Sequence, residues 1–306
     1  MIPAGKAVDE SIETLLPLLK EGDIIIDGGN SNPLDSRRRA KALKEQGVYF
    51  LDIGTSGGLE GAEKGASFSV GGEEVAYRIV KPLLEAMATE GGISYIPYSG
   101  MGHLTKMVHN AMEYAMMQAV GESMALIYAS LRQNHSLDES TAVKELQRIT
   151  ASWADDEVIG SYLLELLKQG LADPLRFMQI GDKIGGGQSG NWGLREAKRL
   201  KISTLLLAIA AKERFRVSWP EHFSNTVKSY LNQSYKFAKK KKQPSQDKIR
   251  HDKEDALPKE NLAKDISGLL AYTIEQILYE GLGVIYEALR KDCCLDDKEA
   301  VSYLGK

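Results

Sequence analysis

Residues 102–131 read GHLTKMVHNAMEYAMMQAVGESMALIYASL, and the fold turns on this stretch. From Leu104 to Leu131 there is no Pro and one Gly, Gly121. The spacing predicts a long helix. At about 100° per residue, Lys106, His109, Asn110, Glu113 and Tyr114 share one arc roughly 140° wide. Met107, Val108, Ala111, Met112 and Ala115 fill much of the rest. A surface helix shows an apolar stripe on a polar body; here a polar stripe interrupts an apolar body. Buried polar groups need partners, so the stripe reads either as a structural polar network or as a site. A buried Lys near a Glu supplies a base and an acid of separable pKa.

Upstream of this stretch, helical patterns alternate with short apolar runs. Helices are expected over 7–20, 34–46 and 74–87, and strands over 23–27, 49–53, 67–70 and 93–97. That alternation marks a partial doubly wound, Rossmann-like α/β sheet. Downstream, strand signals vanish. Helices are expected over 104–131, 136–150, 157–168, 193–217, 220–242 and 261–290. The expected division is therefore an α/β domain over 1–102 and an all-helical domain over 103–306.

Composition bounds the function. A chain of 306 residues with 43% hydrophobic content can build one large core or two medium ones. A net charge of −3 argues against a general nucleic-acid binder. The basic run Lys239–Lys242 reads as a solvated helix end. The two cysteines, Cys293 and Cys294, are adjacent, with no His/Cys cluster to complete a metal shell. No metal is expected, and a reducing, cytoplasmic setting fits. No run reaches the ~20 apolar residues of a membrane span.

Two glycine turns follow strand-like runs. Asp27-Gly28-Gly29-Asn30-Ser31 follows Asp23-Ile24-Ile25-Ile26, and Gly54-Thr55-Ser56-Gly57-Gly58 closes the run from Tyr49 to Ile53. Open α/β sheets bind ligands beyond the carboxyl ends of their strands. Together GGNS, TSGG and GHLTKMVHN resemble one family, the decarboxylating 6-phosphogluconate dehydrogenases. The likeness is most specific over the first 130 residues. The SGG turn and the lysine are shared with the wider β-hydroxyacid dehydrogenases; KMVHNAMEY is particular to the phosphogluconate branch.

The resemblance implies oxidative decarboxylation of 6-phosphogluconate to ribulose 5-phosphate, with NAD or NADP reduced, in the pentose phosphate pathway and in a homodimer. It implies catalytic roles for Lys106, as base, and Glu113, as acid. Asn30, Ser56, Gly57, Gly58, His109, Asn110, Tyr114, Ser189 and Arg214 match substrate-binding positions, with Tyr114 and Arg214 at the phosphate. Ala7 and Asn30 match positions lining the cofactor. In the loop Gly187–Trp192, Gly187 and Asn191 stand where the family carries Lys or Arg; Lys183 is the nearby basic residue.

A dinucleotide fold opens with a strand, GxGxxG and a helix. Gly185-Gly186-Gly187-Gln188-Ser189-Gly190 matches the spacing but falls between helical patterns, past the strands. By resemblance Met1 matches an internal position of the family, and the family continues past Leu295–Lys306. Poor hydride transfer, or none, is the expectation for this stretch alone. Two alternatives stand beside the main reading: another β-hydroxyacid dehydrogenase, or a non-catalytic protein that binds a sugar acid phosphate or pairs with another chain.

Overall fold

A computed structural model describes residues 1–172, 189–217 and 259–304. The expected helix over 220–242, Lys183, Gly187 and the Lys239–Lys242 run lie outside the described residues, as do the side chain of Ser189 and most of the Gly185–Gly190 segment.

The first hundred residues form a four-stranded sheet in the order β1 (Ile24–Asp27), β2 (Tyr49–Ser56), β3 (Ala66–Gly72), β4 (Ala88–Ile96). β1 pairs parallel with β2 and β3 parallel with β4, while β2 and β3 are antiparallel. The helices explain the mixture. Parallel neighbours need a crossover of a dozen or more residues. α2 (Pro33–Lys44) and α4 (Glu74–Met87) supply it. Between β2 and β3 stands only the seven-residue α3 (Gly58–Lys64), too short to cross over, so the chain returns antiparallel. α3 was not expected from the sequence. α1 (Lys6–Leu15) precedes the sheet. α2 opens on Asn32, whose side chain accepts the Leu34 N–H, with Pro33 in the first helical position.

Both faces of the sheet are covered. Leu51, Ile53, Phe68 and Val70 pack on Ala76, Val80 and Leu84 of α4. On the other face Phe50 packs with Val48 and Leu43 of α2, against Ile12 of α1. Period-2 alternation puts Asp52 on the Phe50 side, and there it is fully buried.

Every described element from residue 101 onward is a helix: α5 (Met101–Gln133), α6 (Glu139–Ala154), α7 (Tyr162–Ala172), α8 (Ser189–Leu200), α9 (Leu205–Val217), α10 (Lys259–Lys291) and α11 (Asp297–Leu304). Several bounds differ from the expected ones for local reasons. The run read as one helix over 193–217 is two, because Lys201 takes φ 62° and closes α8 with its N–H on the Lys198 carbonyl. A lysine in the left-handed region carries no sequence signal of the kind Gly gives. The helix expected from 157 starts at Tyr162, because Asp156 Oδ1 accepts the N–H groups of Val158 and Ile159 in a turn. Asp138, not Ser136, caps α6, accepting the Thr141 N–H.

By packing, the described residues within Met1–Glu113, Gly187–Leu207 and Tyr279–Lys306 form one compact unit; those within Tyr114–Gly186 and Ala208–Leu278 form a second. In the first, Met101, Leu104 and Val108 of α5 share a core with Ala197 and Leu200 of α8, Val284, Ala288 and Leu289 of α10, and Ala300 of α11. In the second, Ile127 and Leu131 of α5 pack with Leu146 and Trp153 of α6, Leu164 of α7 and Leu270 of α10.

One ion cluster ties the first unit together. Asp292 accepts from Arg37 of α2 at 2.6 Å and from Arg199 of α8, with Arg199 Nη1 at 2.9 Å. Burial works against the carboxylate, and the two guanidiniums outweigh it, so its pKa lies below 3.8. A depressed carboxyl pKa stabilises the fold above the unfolded value and stops doing so as pH falls through the folded one. Asp292→Asn should therefore lower the thermal midpoint near neutral pH. The gap from the parent should close below pH 3.8. Midpoints measured across that range check it.

Candidate active site

The site is assembled where α5 begins. Asp52 of β2 points its carboxylate at the start of this helix, accepting the Gly100 N–H at 2.6 Å and the His103 N–H at 2.9 Å. These are two of the orphan donors of a helix N-terminus, satisfied by a side chain from a neighbouring strand. Burial pushes the Asp52 pKa up, against the pull of His103 and the N–H groups. Three glycines permit the approach. A Cβ on Gly102 would strike the Asp52 carbonyl, and one on Gly71 would come within 2.5 Å of the Gly102 nitrogen. A Cβ on Gly54 would collide with the Lys106 stem.

Lys106 thus lies across Gly54 with its stem against the strand. Nζ donates to the Thr55 carbonyl. The side chain is half-buried, and burial lowers its pKa from 10.5. It opens on a cavity of about 420 Å³ lined also by Gly28, Gly29, Asn30, Thr55 and the residues Met1 to Ala4. The Gly28–Asn30 turn sits at the carboxyl end of β1, as the open-sheet rule expects. Asp27 organises that turn: Oδ1 accepts the Gly29 N–H at 3.0 Å and Oδ2 the Ser31 hydroxyl at 2.6 Å.

The structure brings together Lys106 and Asn30 from the expected residues, and adds Thr55, which sequence reasoning passed over. Ser56, Gly57 and Gly58 follow Thr55 at the end of β2 and the start of α3, Ser56 half-buried and the glycines exposed. They do not line the cavity, nor does Ala7 in α1. Farther along α5, Asn110 and Glu113 are half-buried and His109 is exposed. In the second unit Arg214 of α9 stacks on the Tyr114 ring, 4.0 Å from its centroid, with Nη1 3.9 Å from Met117 Sδ. Arg214→Ala removes that stack. Under the phosphate-ligand reading it should weaken 6-phosphogluconate binding roughly tenfold or more and change the unfolding midpoint little, as a calorimetric titration and a melt would read.

The buried histidine of this helix is His103, not His109. Its ring is fully buried, with Nδ1 2.7 Å from Ser36 Oγ and Nε2 3.1 Å from the Asp27 carbonyl. GHLT carried it in plain view. What marked it was its place before the lysine at a helix start, which periodicity alone does not weigh. Among the described residues no group of three His, Cys, Asp or Glu is placed to hold a metal ion. None of the described helices is long and apolar enough to cross a membrane.

An α/β sheet with glycine turns at two strand ends and a half-buried lysine at a cavity beside them can hold a ligand and move a proton. Residues 1–100 match the model of the NAD binding domain of 6-phosphogluconate dehydrogenase, and residues 102–274 match that of its C-terminal domain. The chain belongs to the 6-phosphogluconate dehydrogenase family, whose members are NAD- or NADP-dependent oxidoreductases. An NAD(+)-dependent decarboxylating 6-phosphogluconate dehydrogenase of Haloferax volcanii is 36% identical over 237 residues, 77% of this chain and 75% of that one. The NADP(+)-dependent enzyme of Bacillus subtilis is 38% identical over 226 residues, 70% of this chain and 46% of that one. The 6-phosphogluconate dehydrogenase of Plasmodium falciparum, described in apo form and with NADP+ or 6-phosphogluconate, superposes with a TM-score of 0.66 at 29% identity. It covers all of this chain, which spans 67% of it.

The residues present suit the nicotinamide end of such a cofactor. Gly28 and Gly29 present bare backbone to the cavity, which admits a flat ring, and the Asn30 side chain offers both a donor and an acceptor for a carboxamide.

Proposed function

We propose that this chain carries out the oxidative decarboxylation of 6-phosphogluconate to ribulose 5-phosphate in the pentose phosphate pathway of the cytoplasm, reducing NAD or NADP, as a homodimer. In this reading residues 1–102 serve the cofactor and residues 103–306 the substrate and the dimer. The observation that carries the reaction is Lys106: a half-buried amine of lowered pKa, at a cavity, on the Thr55 carbonyl. An ammonium cannot take a proton, and desolvation favours the neutral amine that can.

Lys106 takes the proton of the substrate 3-hydroxyl; a nicotinamide held at Gly28, Gly29 and Asn30 would supply the hydride acceptor for C3. The resulting 3-keto acid loses CO₂ because its carbonyl takes up the electron pair as an enolate, and the Lys106 ammonium returns its proton to that oxygen to give the enediol. Glu113, two helical turns and about 10 Å along the axis from Lys106, protonates C1. Asn30, Ser56, Gly57, Gly58, His109 and Asn110 hold the carboxylate and hydroxyls. Tyr114, Ser189 and Arg214 take the phosphate. Ala7 and Asn30 line the cofactor. These assignments rest on family resemblance, residue by residue.

The test pairs binding with turnover. Calorimetry should show 6-phosphogluconate binding and gluconate binding at least tenfold more weakly. Mixing the chain with 6-phosphogluconate and either nucleotide should yield reduced cofactor and CO₂ together, and the faster nucleotide is the preferred one. The rate should rise with pH through a midpoint below 10.5, because the base must be neutral. Absence of both binding and turnover defeats the reading, and equal use of unphosphorylated hydroxyacids would move it to another branch of the superfamily.

A further inference from the structure

We infer that His103 is a positioning residue: its imidazole fastens the first turn of α5 to the carboxyl end of β1 and so sets Lys106 against the Gly28–Asn30 turn. The inference rests on the reading of Lys106 as the base and adds a residue to it.

The contacts run in one direction. The Asp27 carbonyl can only accept, so His103 Nε2 carries the proton and donates to it at 3.1 Å. Nδ1 lies 2.7 Å from Ser36 Oγ in the first turn of α2, a hydroxyl that is also 3.2 Å from the Asn32 carbonyl. Asp27 is the last residue of β1, and its carboxylate holds Gly29 and Ser31. One step from the ring of His103 is therefore the backbone of the cavity wall. One helical turn along α5 from His103 stands Lys106, which lines the same cavity. The imidazole is one link between the two; Thr55 is another, its carbonyl accepting from Lys106 and its hydroxyl donating to the Gly28 carbonyl at 3.4 Å.

The charged groups around it are accounted for. Asp52 Oδ2 lies 3.9 Å from Nδ1 and is held by the Gly100 and His103 N–H groups. Arg39 approaches Asp27 Oδ2 at 3.7 Å and binds Asp9 at 2.8 Å. Neither takes the place of the Nε2 contact. Asp52 and His103 also divide the labour. The carboxylate caps the helix, and its loss would be felt in folding. The ring stands 3.9 Å from that carboxylate and favours its charge, but the hydrogen bonds of the cap come from the Gly100 and His103 backbone N–H groups. Removing the ring contact should therefore show at the cavity, as added mobility and water around the lysine.

Side-chain length separates this from a bland core role. Gln places an amide N–H near the position of Nε2, whereas Asn reaches only as far as Nδ1. The experiment compares the parent with His103→Gln, His103→Asn and Ser36→Ala. The first readout is competitive acylation of the purified chain across pH, with Lys106 followed by mass spectrometry; it needs no turnover. His103→Asn should move the Lys106 labelling midpoint up toward an ordinary lysine by about one pH unit or more, because a loosened helix start lets water reach the amine. His103→Gln should restore the parent midpoint, and Ser36→Ala should shift it part-way. The second readout is steady-state kinetics with 6-phosphogluconate. His103→Asn should lower kcat about 100-fold, the usual penalty of an ångström of misplacement, with KM changed only a few-fold, and Gln should recover most of it.

Identical labelling profiles for the parent and His103→Asn would overturn the inference, as would Asn and Gln behaving alike. If His103→Asn does not fold, Gln and Ser36→Ala decide: a Ser36→Ala profile equal to the parent's overturns it. Absent substrate binding and turnover in the parent would count against the proposed reaction, while the labelling comparison would still judge His103.

Discussion

Lys106→Met should abolish turnover, by at least the 10²- to 10⁴-fold that a positioned base supplies, while 6-phosphogluconate still binds. The substitution keeps a flexible stem of similar length over Gly54, so the packing at the start of α5 survives. What disappears is the amine on the Thr55 carbonyl. The same change carries a stability signature. Burial depresses the Lys106 pKa, so the folded state disfavours the ammonium. That penalty is present below the folded pKa and gone above the unfolded value near 10.5. The variant should therefore melt no lower than the parent near neutral pH, and any advantage should shrink as pH climbs toward that value. A variant that keeps full catalysis would remove Lys106 from the mechanism. One that loses catalysis together with its fold would show the lysine to be structural.

Gly102→Ala is expected to be among the most damaging small substitutions at the described glycines. The added methyl would run into the Asp52 carbonyl and stand 2.5 Å from the Ser69 carbonyl and 2.6 Å from the Gly71 nitrogen. All three are backbone atoms of paired strands, which cannot rotate away. Relief would require α5 to lift off β2 and β3, losing the Asp52 cap. A cost of about 3 kcal/mol or more follows, against a total stability of roughly 5–15 kcal/mol. Gly121→Ala provides the control. It lies in the same helix with nothing within 4 Å of a new Cβ, and should gain up to about 1 kcal/mol from helix propensity. Denaturant midpoints for the pair read the contrast directly. Equal midpoints would mean that the helix start does not dock on the sheet as described.

The order of strands and helices was legible because each carries its own period. Ile24-Ile25-Ile26 and Tyr49 to Ile53 read as strands without help from any other part of the chain, and α4 was read to its end residues. The direction of β3 was not legible. It depends on whether the segment after Ser56 is long enough to cross over, and α3 is seven residues whose only larger apolar side chain, Leu59, is exposed, so little announces it. The break at Lys201 was hidden for a related reason: a non-glycine residue took the left-handed turn. At the candidate site, Lys106 and Asn30 could be paired because one stands on the polar stripe of a long helix and the other in a glycine turn after a strand. His103 and Asp52 could not. Their meaning lies in a contact across 51 residues, and a lone Asp in an apolar strand or a His at a helix start looks the same in sequence whether or not the two meet.

The continuity of α5 between Lys106 and Glu113 has a further consequence. Seven residues carry the helix through nearly two whole turns, leaving the second position only about 20° out of phase with the first. The interval between the two groups is thus stored as a residue count, not as a contact that could be re-formed elsewhere. Deleting or inserting one residue between them would shift Glu113 by about 1.5 Å along the axis and swing it through about 100° around it. Loops on this protein can change length and keep their ends; this segment works as a fixed gauge, and its length is itself part of the chemistry.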